Sequence, residues 1–345
     1  MKRVYVSLND CRPGMRIAED IYNEYGAIII PDGTVLEDYV IEHIKKLGIN
    51  KIRVYDNTGE MIEVSGADLF RAQYKENLNA VKSVLHDISA GRQIDSQSVD
   101  QTTRSILSRI NENNEIVSCL NEMRSTGEYL YSHSVNVALL CMLIGKWLKF
   151  DYMKLKSLIT AGFLHDIGKT RIAPEILNKP GPLSIEEFEE VKKHPVHGYK
   201  IAENAEGLND DILKGILMHH EREDGSGYPF SLKGDKIHEF GKIVAVADVY
   251  DAMTSTRVYK EKQCPFDVIE VISVDHFNTL DNRITSVFLK NIASYYLGEP
   301  IRLNNGMTGE IVHINPFNIS RPIIKSGNTY IDLVTKKDWK ITELL

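Results

Sequence analysis

The chain has 345 residues, of which 43% are hydrophobic and 26% are charged. This length suggests two or three domains, and the composition excludes a mini-protein or a largely disordered chain. The net charge of −7 provides no general attraction for duplex nucleic acid or for an anionic membrane. We therefore expect any anionic ligand to be small and locally bound.

The cysteines and the apolar segments indicate the compartment. Cys11, Cys119, Cys141 and Cys264 form no CxxC pair, which argues against a disulfide framework or a zinc ribbon and fits a reducing compartment. The N-terminus has no apolar signal-peptide core, and the longest apolar stretch, Val135–Phe150, is too short to span a membrane. We expect a cytoplasmic protein without a membrane span.

Residues 1–60 are predicted to form a small α/β module. Short β-rich runs occur at Val4–Ser7, Ala27–Ile30 and Lys51–Tyr55, and glycine and proline turns separate them. A helix is predicted near Glu37–Leu47.

Residues 61–126 have a helical pattern and are predicted to connect this module to the next domain. Apolar or core-compatible side chains recur here at alternating steps of four and three residues, over about three heptads. They are Val99, Thr103, Ile106, Ile110, Asn113, Val117 and Leu120. The stripe either packs on its own domain or forms a homodimer helix over residues 99–120, with Asn113 setting the register.

Residues 127–297 are predicted to be almost entirely helical. Ser184 and Glu187 form a capping box that begins a helix, which we expect to end near His194-Pro195. The apolar run from Ala161 predicts a helix that ends at Gly168.

Residues 298–345 are predicted to form a small β-rich appendage. Glycine and proline punctuate short β-like runs, which finish in Tyr330–Val334 and Lys340–Leu345. Some of these strands could pair with the N-terminal module. The predicted fold is therefore mainly α, with an α/β module before the helical domain and β-strands after it.

Ligand-type side chains concentrate in the helical region. His165 and Asp166 are adjacent, His219-His220 is a second adjacent pair, and Asp248 and Asp251 share a helix face. Burying such groups unpaired would be costly, so a cation is their simplest common partner. Imidazoles mixed with carboxylates suit Mn, Fe, Ni, Co or Zn better than Ca or Mg.

A pair of such metals has a recognisable chemistry. Two ions about 3.5–4 Å apart activate water for in-line attack and stabilise charge on phosphoryl oxygens. A carboxylate can bridge the two ions. Phosphodiester hydrolysis is therefore the reaction that these residues favour.

The order of several motifs resembles the HD-GYP branch of the HD superfamily. The resemblance covers about residues 127–297, half of the chain, and the combined motifs are far more specific than any single pair. The motifs are His133, His165-Asp166-Ile167-Gly168-Lys169, His194-Pro195, His219-His220-Glu221-Arg222, Asp224-Gly225-Ser226-Gly227-Tyr228-Pro229 and Ala247-Asp248-Val249-Tyr250-Asp251 with the residues up to Ser255. The flanking segments match more weakly.

The resemblance implies an HD-type helical bundle that hydrolyses cyclic di-GMP at two or three metals, commonly iron or manganese. One metal would be held by His133, His165, Asp166 and Asp248. Asp166 would bridge to a second metal held by His194, His219 and His220.

The resemblance also implies roles in catalysis and substrate binding. Lys169 corresponds to a lysine near the attacking water and the phosphate, and Asp251 to a residue behind the metal ligands. Tyr228, Arg257 and Lys260 correspond to groups that contact guanine or phosphate.

A third metal is in question. Members with three metals carry a carboxylate four residues before the first histidine, where this chain has Tyr129, next to Glu128. His197 is expected to be a surface histidine or to lie behind the ligands rather than to bind metal.

The expected activity is hydrolysis of cyclic di-GMP to pGpG, and further to GMP if the second bond is cleaved. The alternatives are a hydrolase of another nucleotide, such as cyclic GMP-AMP or a nucleoside polyphosphate, and a sensor that binds cyclic di-GMP without cleaving it. The intact Gly227-Tyr228-Pro229 loop argues against a polyphosphate substrate. The complete set of metal ligands argues against a sensor.

Overall fold

The computed structural model groups the chain into two compact units. One unit contains residues 1–65, 292–340 and 344–345, and the other contains residues 66–291 and 341–343. The structure describes residues 2–8, 10–22, 28–47, 49, 51–56, 66–111, 116–117, 120, 129–255 and 263–345.

The N-terminal part of the first unit has the predicted α/β pattern. Strands β1 (Lys2–Ser7) and β4 (Lys51–Asp56) pair antiparallel, and so do the short β2 (Ile21–Tyr22) and β3 (Ile28–Ile30). Helix α1 (Asp38–Lys46) buries one apolar face, which packs in a core with residues of the strands. The buried side chains of that face are Val40, Ile41 and Ile44.

The C-terminal residues form a five-stranded sheet. Its order is β8-β7-β6-β5-β9. The strands are β5 (Pro300–Leu303), β6 (Thr308–His313), β7 (Ile323–Ser326), β8 (Thr329–Asp332) and β9 (Ile341–Leu344). The predicted fold class, mainly α with an α/β module before it and β-strands after it, is confirmed.

The two ends of the chain meet through side chains. In the part of the chain that the structure describes, the C-terminal strands pair only with one another, so the suggested pairing with the N-terminal module is not found. Instead, Arg53 Nη2 lies 2.6 Å from Glu310 Oε2, and Lys51 Nζ lies 3.2 Å from Glu299 Oε1. These ion pairs join residues that are more than 240 positions apart in sequence, and they place both ends in one unit.

The second unit is helical. Its helices in chain order are α2 (Gly66–Ser89), α3 (Ser96–Leu107), α4 (Tyr129–Trp147), α5 (Tyr152–Leu164), α6 (Pro174–Leu177), α7 (Ile185–Val191), α8 (His194–Ala202), α9 (Asp210–Met218), α10 (Glu239–Thr254), α11 (Pro265–Val274) and α12 (Asn282–Ser294). A 3-10 helix, Ile167–Arg171, lies between α5 and α6. Among the residues described, no helix combines the length and apolarity needed to cross a membrane.

Helices α4, α5 and α10 form the centre of this unit. Residues 132–145 of α4 are buried without interruption, and 11 of the 16 residues of α10 are buried, including the run 243–248. A helix that is apolar on every side belongs in the interior, because no face of it gains from contact with water. The apolar stretch noted in the sequence is thus the central helix of the bundle, and the polar residues on these helices are held inside it.

The apolar stripe of residues 99–120 does not form one continuous helix. Helix α3 ends at Leu107, and residues 108–111 form a turn. Val99, Thr103 and Ile106 are buried within the chain, and the Thr103 hydroxyl lies 3.1 Å from that of Thr160 on α5. These three residues of the stripe thus pack within their own domain, which is one of the two predicted alternatives. Asn113 lies outside the described residues, and the homodimer stays a prediction.

Two predicted helix ends lie elsewhere. The capping box of Ser184 and Glu187 is present, but its helix ends at Val191, and His194 begins α8 with a proline in its first turn. The apolar helix α5 ends at Leu164 rather than at Gly168. Gly168 is needed for a different reason: a Cβ there would lie 1.9 Å from the carbonyl oxygen of His194, so this contact brings the 3-10 helix against α8.

Candidate metal centre

Helix ends bring the predicted ligands together. His165 and Asp166 follow α5, His194 is the first residue of α8, and His219 and His220 follow α9. His133 and Asp248 lie within the central helices α4 and α10. The side-chain atoms form two groups, each with ligand atoms within 4.8 Å of one another. One group is Asp166, His194, His219 and His220, and the other is His133, His165 and Asp248.

Asp166 lies between the two groups. Its Oδ1 atom is 3.3 Å from His194 Nε2 and 3.9 Å from His219 Nε2, both in the first group. Its Oδ2 atom is 3.3 Å from His165 Nε2 and 3.8 Å from His133 Nε2, both in the second. Each carboxylate oxygen therefore faces a different set of imidazoles, which is the geometry expected of a bridging ligand.

The second group is completed by Asp248. Its Oδ1 atom lies 3.0 Å from His133 Nε2, and its Oδ2 atom lies 3.9 Å from His220 Nδ1. This carboxylate is only 9% exposed. The two groups are thus contiguous, and together they contain all seven residues predicted to bind metal.

Backbone carbonyls fix the orientation of three imidazoles. The Nδ1–H groups of His165, His194 and His219 each donate to the carbonyl oxygen three residues earlier, at 2.7–2.8 Å. A histidine at a helix end makes this bond readily because the last carbonyls of the helix lack intrahelical partners. With Nδ1 engaged, the lone pair on Nε2 points into the site, as metal-binding histidines require.

His133 is oriented by a carboxylate instead. Its Nδ1 atom lies 2.7 Å from Asp251 Oδ2, which accepts the hydrogen bond. Asp251 is fully buried, and its other oxygen accepts bonds from Asn136 Nδ2 at 2.9 Å and from Ser255 Oγ at 3.2 Å. Asp251 therefore holds the imidazole from behind rather than joining either group, as the resemblance implied.

The site favours neutral imidazoles on one side. Burial lowers the pKa of His194 to about 4 and lowers the pKa values of His219 and His220 well below the ordinary value, so all three are unprotonated at neutral pH. An unprotonated imidazole is the form that binds a metal ion.

His133 differs in its electrostatic environment. Burial alone would lower its pKa, but the hydrogen bonds and charges of Asp248 and Asp251 outweigh burial and raise the pKa to about 9. A buried cation is therefore favourable where Nε2 of His133 meets Asp248. A metal ion at that position would supply this positive charge in place of the proton.

Two buried atoms support the fit of a metal. Among the described residues, His165 Nε2 and Asp166 Oδ1 are buried without a hydrogen-bond partner. Leaving a buried polar group unsatisfied is costly, so such atoms in a cluster of nitrogen and oxygen donors are the expected ligands of a cation. The donor set of imidazoles and carboxylates, with no thiolate, fits a divalent transition metal.

Lys169 lies beside the bridging carboxylate. Its Nζ atom is 2.5 Å from Asp166 Oδ2, and its side chain is one-quarter exposed. The ammonium can thus reach both the carboxylate and the solvent side of the site. The role of Lys169 near the phosphate stays a prediction.

The loop that contains Tyr228 forms a wall of the site. The Tyr228 ring stacks on the His220 imidazole, with centroids 4.6 Å apart and planes at 27°. Glu221, which is 2% exposed, accepts hydrogen bonds from the backbone N–H groups of Phe230 at 2.7 Å and Leu232 at 2.9 Å. A Cβ at position 227 would lie 2.4 Å from the carbonyl oxygen of His220, so only Gly227 allows the loop to return this closely.

Several predicted residues lie apart from the centre or beyond the description. Arg257, Lys260 and Glu128 are outside the described residues, as is the side chain of Tyr129. His197 belongs to neither group of ligands; it lines a separate cavity of about 400 Å³ together with Arg171 and Lys200.

The sequence interpretation missed three polar residues around the centre. Asn136 contacts Asp251, and its spacing of three residues from His133 on the same helix could have indicated this. Glu221 supports the Tyr228 loop, and its position beside His220 was the available signal. Tyr74, whose hydroxyl donates to Asn136 Oδ1 at 2.7 Å, comes from a distant helix and had no signal.

Comparison with known proteins identifies the helical unit. Residues 117–279 match the model of the HD domain family. The matched segment, a little under half of the chain, is similar to an HD domain. The resemblance to the HD superfamily that the motifs predicted is therefore confirmed, and the HD domain implies binding of divalent metal.

Relatives of this HD domain are named as phosphodiesterases. One is a cyclic di-GMP phosphodiesterase of Pseudomonas aeruginosa, 33% identical over 252 residues that cover 71% of this chain and 59% of the relative. Another is a 3′3′-cGAMP-specific phosphodiesterase of Vibrio cholerae, 32% identical over 177 residues that cover 51% of this chain and 41% of the relative. The chain thus spans between two-fifths and three-fifths of the length of these relatives.

A solved structure shares the fold. It is described as an HDG"Y"P protein from Bdellovibrio bacteriovorus, and it superimposes with a TM-score of 0.54 at 17% sequence identity. The match covers 83% of this chain and 98% of that chain. It therefore extends well beyond the helices of the HD domain.

Proposed function

We propose that this chain is a metal-dependent phosphodiesterase that hydrolyses cyclic di-GMP to pGpG, and further to GMP. The proposal combines the geometry of the site with the activity for which the Pseudomonas aeruginosa relative is named. The seven ligands it requires are His133, His165, Asp166, His194, His219, His220 and Asp248.

The observation that carries the proposal is the position of Asp166. Its two oxygens face two contiguous groups of donors, so the carboxylate is suited to bridge two ions. A single structural metal would need only one of these groups. A pair of bridged ions is the arrangement used for in-line displacement at phosphorus.

The metals would supply the chemistry that no side chain here provides. When bound, they act as Lewis acids on the phosphoryl oxygens and lower the pKa of water for attack. We assign them to iron or manganese, the metals that the family resemblance implies; imidazole and carboxylate donors without thiolates suit these ions, as they also suit Co, Ni or Zn. Two ions account for all seven donor residues. A third ion would need a carboxylate at the position of Tyr129, which is next to Glu128.

Lys169 is assigned to the phosphate. Negative charge develops on the phosphoryl oxygens during the reaction, and a fixed ammonium stabilises it most effectively in a site that excludes water. The Lys169 ammonium lies 2.5 Å from Asp166 Oδ2, and its side chain is one-quarter exposed, so it is available to a phosphate that enters the site. Asp251 keeps the Nε2 lone pair of His133 directed at the site throughout.

Tyr228 and the basic residues Arg257 and Lys260 are assigned to the rest of the substrate. The Tyr228 ring is partly exposed at the edge of the centre, and a guanine base can stack on an aromatic face there. Arg257 and Lys260 are proposed to bind guanine or phosphate on the basis of the family motif alone. A guanidinium forms paired hydrogen bonds with such acceptors.

Substrate and product are tested in one assay. The chain is purified without oxygen, loaded with Mn²⁺ or Fe²⁺ and incubated separately with cyclic di-GMP and with 3′3′-cGAMP, and the products are separated by chromatography. The proposal predicts faster cleavage of cyclic di-GMP, with pGpG appearing before GMP. Preferential cleavage of 3′3′-cGAMP would overturn the substrate assignment.

The second candidate substrate is the related dinucleotide 3′3′-cGAMP, and one observation favours it. A relative of similar identity is named as specific for 3′3′-cGAMP. A third outcome of the assay, tight binding of cyclic di-GMP with no product in the metal-loaded protein, would establish the sensor alternative and overturn the enzymatic one.

A further inference from the structure

A chain of buried hydrogen bonds leads from α2 to the metal centre. The Tyr74 hydroxyl donates to Asn136 Oδ1 at 2.7 Å, and Asn136 Nδ2 donates to Asp251 Oδ1 at 2.9 Å. Asp251 Oδ2 then accepts from His133 Nδ1 at 2.7 Å. The side chains of all four residues are at most 2% exposed. Water therefore does not compete for these bonds, and each bond constrains the next.

Tyr74 determines which way the Asn136 amide faces. A phenol hydroxyl can donate to the amide oxygen, which leaves the amide NH₂ directed at Asp251. If the amide were reversed, its oxygen would face the Asp251 carboxylate, and two acceptors would be opposed in a buried site. The Tyr74 hydroxyl therefore selects the amide orientation that supports the carboxylate.

The amide in turn determines how Asp251 meets His133. With Oδ1 held by Asn136 and Ser255, Oδ2 is directed at the Nδ1–H of His133. This bond sets both the tautomer and the ring orientation, so Nε2 remains available to a metal.

Tyr74 lies outside the region that defines the HD domain. The family match begins at residue 117, whereas Tyr74 is in the middle of α2, 62 positions before Asn136. Helix α2 also packs directly against α4, the helix that contains His133 and Asn136. The support of the metal ligand thus includes a residue from the segment that precedes the domain.

We propose that Tyr74 is a positioning residue for the metal ligand His133, acting through Asn136 and Asp251. The proposal rests on the metal site of the proposed function. It assigns to α2 a direct effect on metal affinity and on turnover, in addition to its packing in the bundle.

The test is a measurement of Mn²⁺ affinity in the full chain. Tyr74→Phe removes only the hydroxyl and keeps the buried ring, so the fold should be retained. Mutating a residue that directly orients a metal ligand typically lowers metal affinity 10- to 100-fold. Because Tyr74 is two hydrogen bonds further from the ligand than Asp251, we expect a smaller loss, roughly five-fold, in affinity for one Mn²⁺ ion. We expect kcat for cyclic di-GMP to fall with it, while KM stays close to the wild-type value.

Two further variants separate positioning from packing. Tyr296→Phe removes the hydroxyl of another fully buried tyrosine and should leave Mn²⁺ affinity unchanged. If Tyr74 acts through Asn136, the double variant Tyr74→Phe/Asn136→Ala should bind Mn²⁺ no more weakly than Asn136→Ala alone.

The outcomes that overturn the proposal are specific. Wild-type Mn²⁺ affinity in Tyr74→Phe, an equal loss in Tyr296→Phe, or additive losses in the double variant would each contradict it. Failure of the proposed function looks different, since a wild-type chain that binds Mn²⁺ but leaves cyclic di-GMP intact would refute the activity. The affinity comparison would still decide the role of Tyr74.

Discussion

The ring of Tyr228 stacks on the imidazole of His220, with centroids 4.6 Å apart and planes at 27°. A residue assigned to the base of the substrate thus touches a residue assigned to the metal. This contact is possible because the loop returns to His220: the Tyr228 N–H donates to the His220 carbonyl oxygen at 3.1 Å. One short segment therefore positions both the proposed substrate contact and the proposed metal ligand.

Tyr228→Ala should weaken substrate binding more than it slows the reaction. Base stacking on an aromatic ring contributes about 1–3 kcal/mol, so we expect KM for cyclic di-GMP to rise by roughly 5- to 150-fold. Tyr228→Phe keeps the ring and should retain most of the affinity. Steady-state kinetics measures both. The control is Phe230→Ala, an exposed aromatic residue of the same loop. An unchanged KM in Tyr228→Ala would contradict the assignment.

Glu221→Gln should destabilise the loop that contains Tyr228. The carboxylate accepts two backbone hydrogen bonds in a buried site, and a glutamine offers one oxygen and one NH₂ group, so one N–H would lose its acceptor. We expect a loss of about 1–3 kcal/mol in the free energy of unfolding, together with a higher KM. Chemical denaturation measures the first quantity. Glu206→Gln, at an exposed site, should change stability by less than about 0.5 kcal/mol; equal effects in the two variants would count against a supporting role.

Asp166→Asn should remove bound metal and abolish hydrolysis. The amide is nearly the same size as the carboxylate but lacks the negative charge and one acceptor atom, so it cannot bridge two cations. Elemental analysis and a hydrolysis assay on the same sample measure both effects, and circular dichroism checks the fold. Asp235→Asn, an exposed variant, should retain full metal content. A fully loaded, active Asp166→Asn protein would refute the site.

Gly168→Ala should disturb both folding and metal binding. The new methyl group would meet the carbonyl oxygen of His194 and the backbone nitrogen of Gly198, neither of which can rotate away. Separating the 3-10 helix from α8 also moves Asp166 relative to His194, so we expect a loss of about 2 kcal/mol or more in stability and a lower metal content. Gly198→Ala should be milder, because its closest contact is a side-chain methyl of Ile216. The reverse order of severity would contradict this explanation.

The residues of the two donor groups could be selected from the sequence because most of them lie in short motifs of recognisable order. His165-Asp166 and His219-His220 are adjacent in sequence, and Asp248 and Asp251 share a helix face, so local spacing contains most of the information. Their division into two groups around Asp166 also agrees with the prediction. The supporting contacts could not be predicted in this way, since Tyr74 reaches Asn136 through the packing of two helices that are distant in sequence.

Helix ends were predicted less well than helices. The apolar stripe continues past Leu107 in sequence, but apolar spacing reports only that side chains are buried and not that one helix contains them. The apolar run predicts a helix end at Gly168, whereas the helix ends at Leu164 and Gly168 allows the close approach of α8. The ion pair of Arg53 with Glu310, which joins the two ends of the chain, depends on tertiary structure and has no local signal.

The most direct test of the bridging role of Asp166 is anomalous diffraction from crystals of the Mn²⁺-loaded protein. The account predicts two manganese peaks about 3.5–4 Å apart, one beside each carboxylate oxygen of Asp166, with the imidazoles of both groups around them. A single peak, or two peaks that Asp166 does not join, would contradict it.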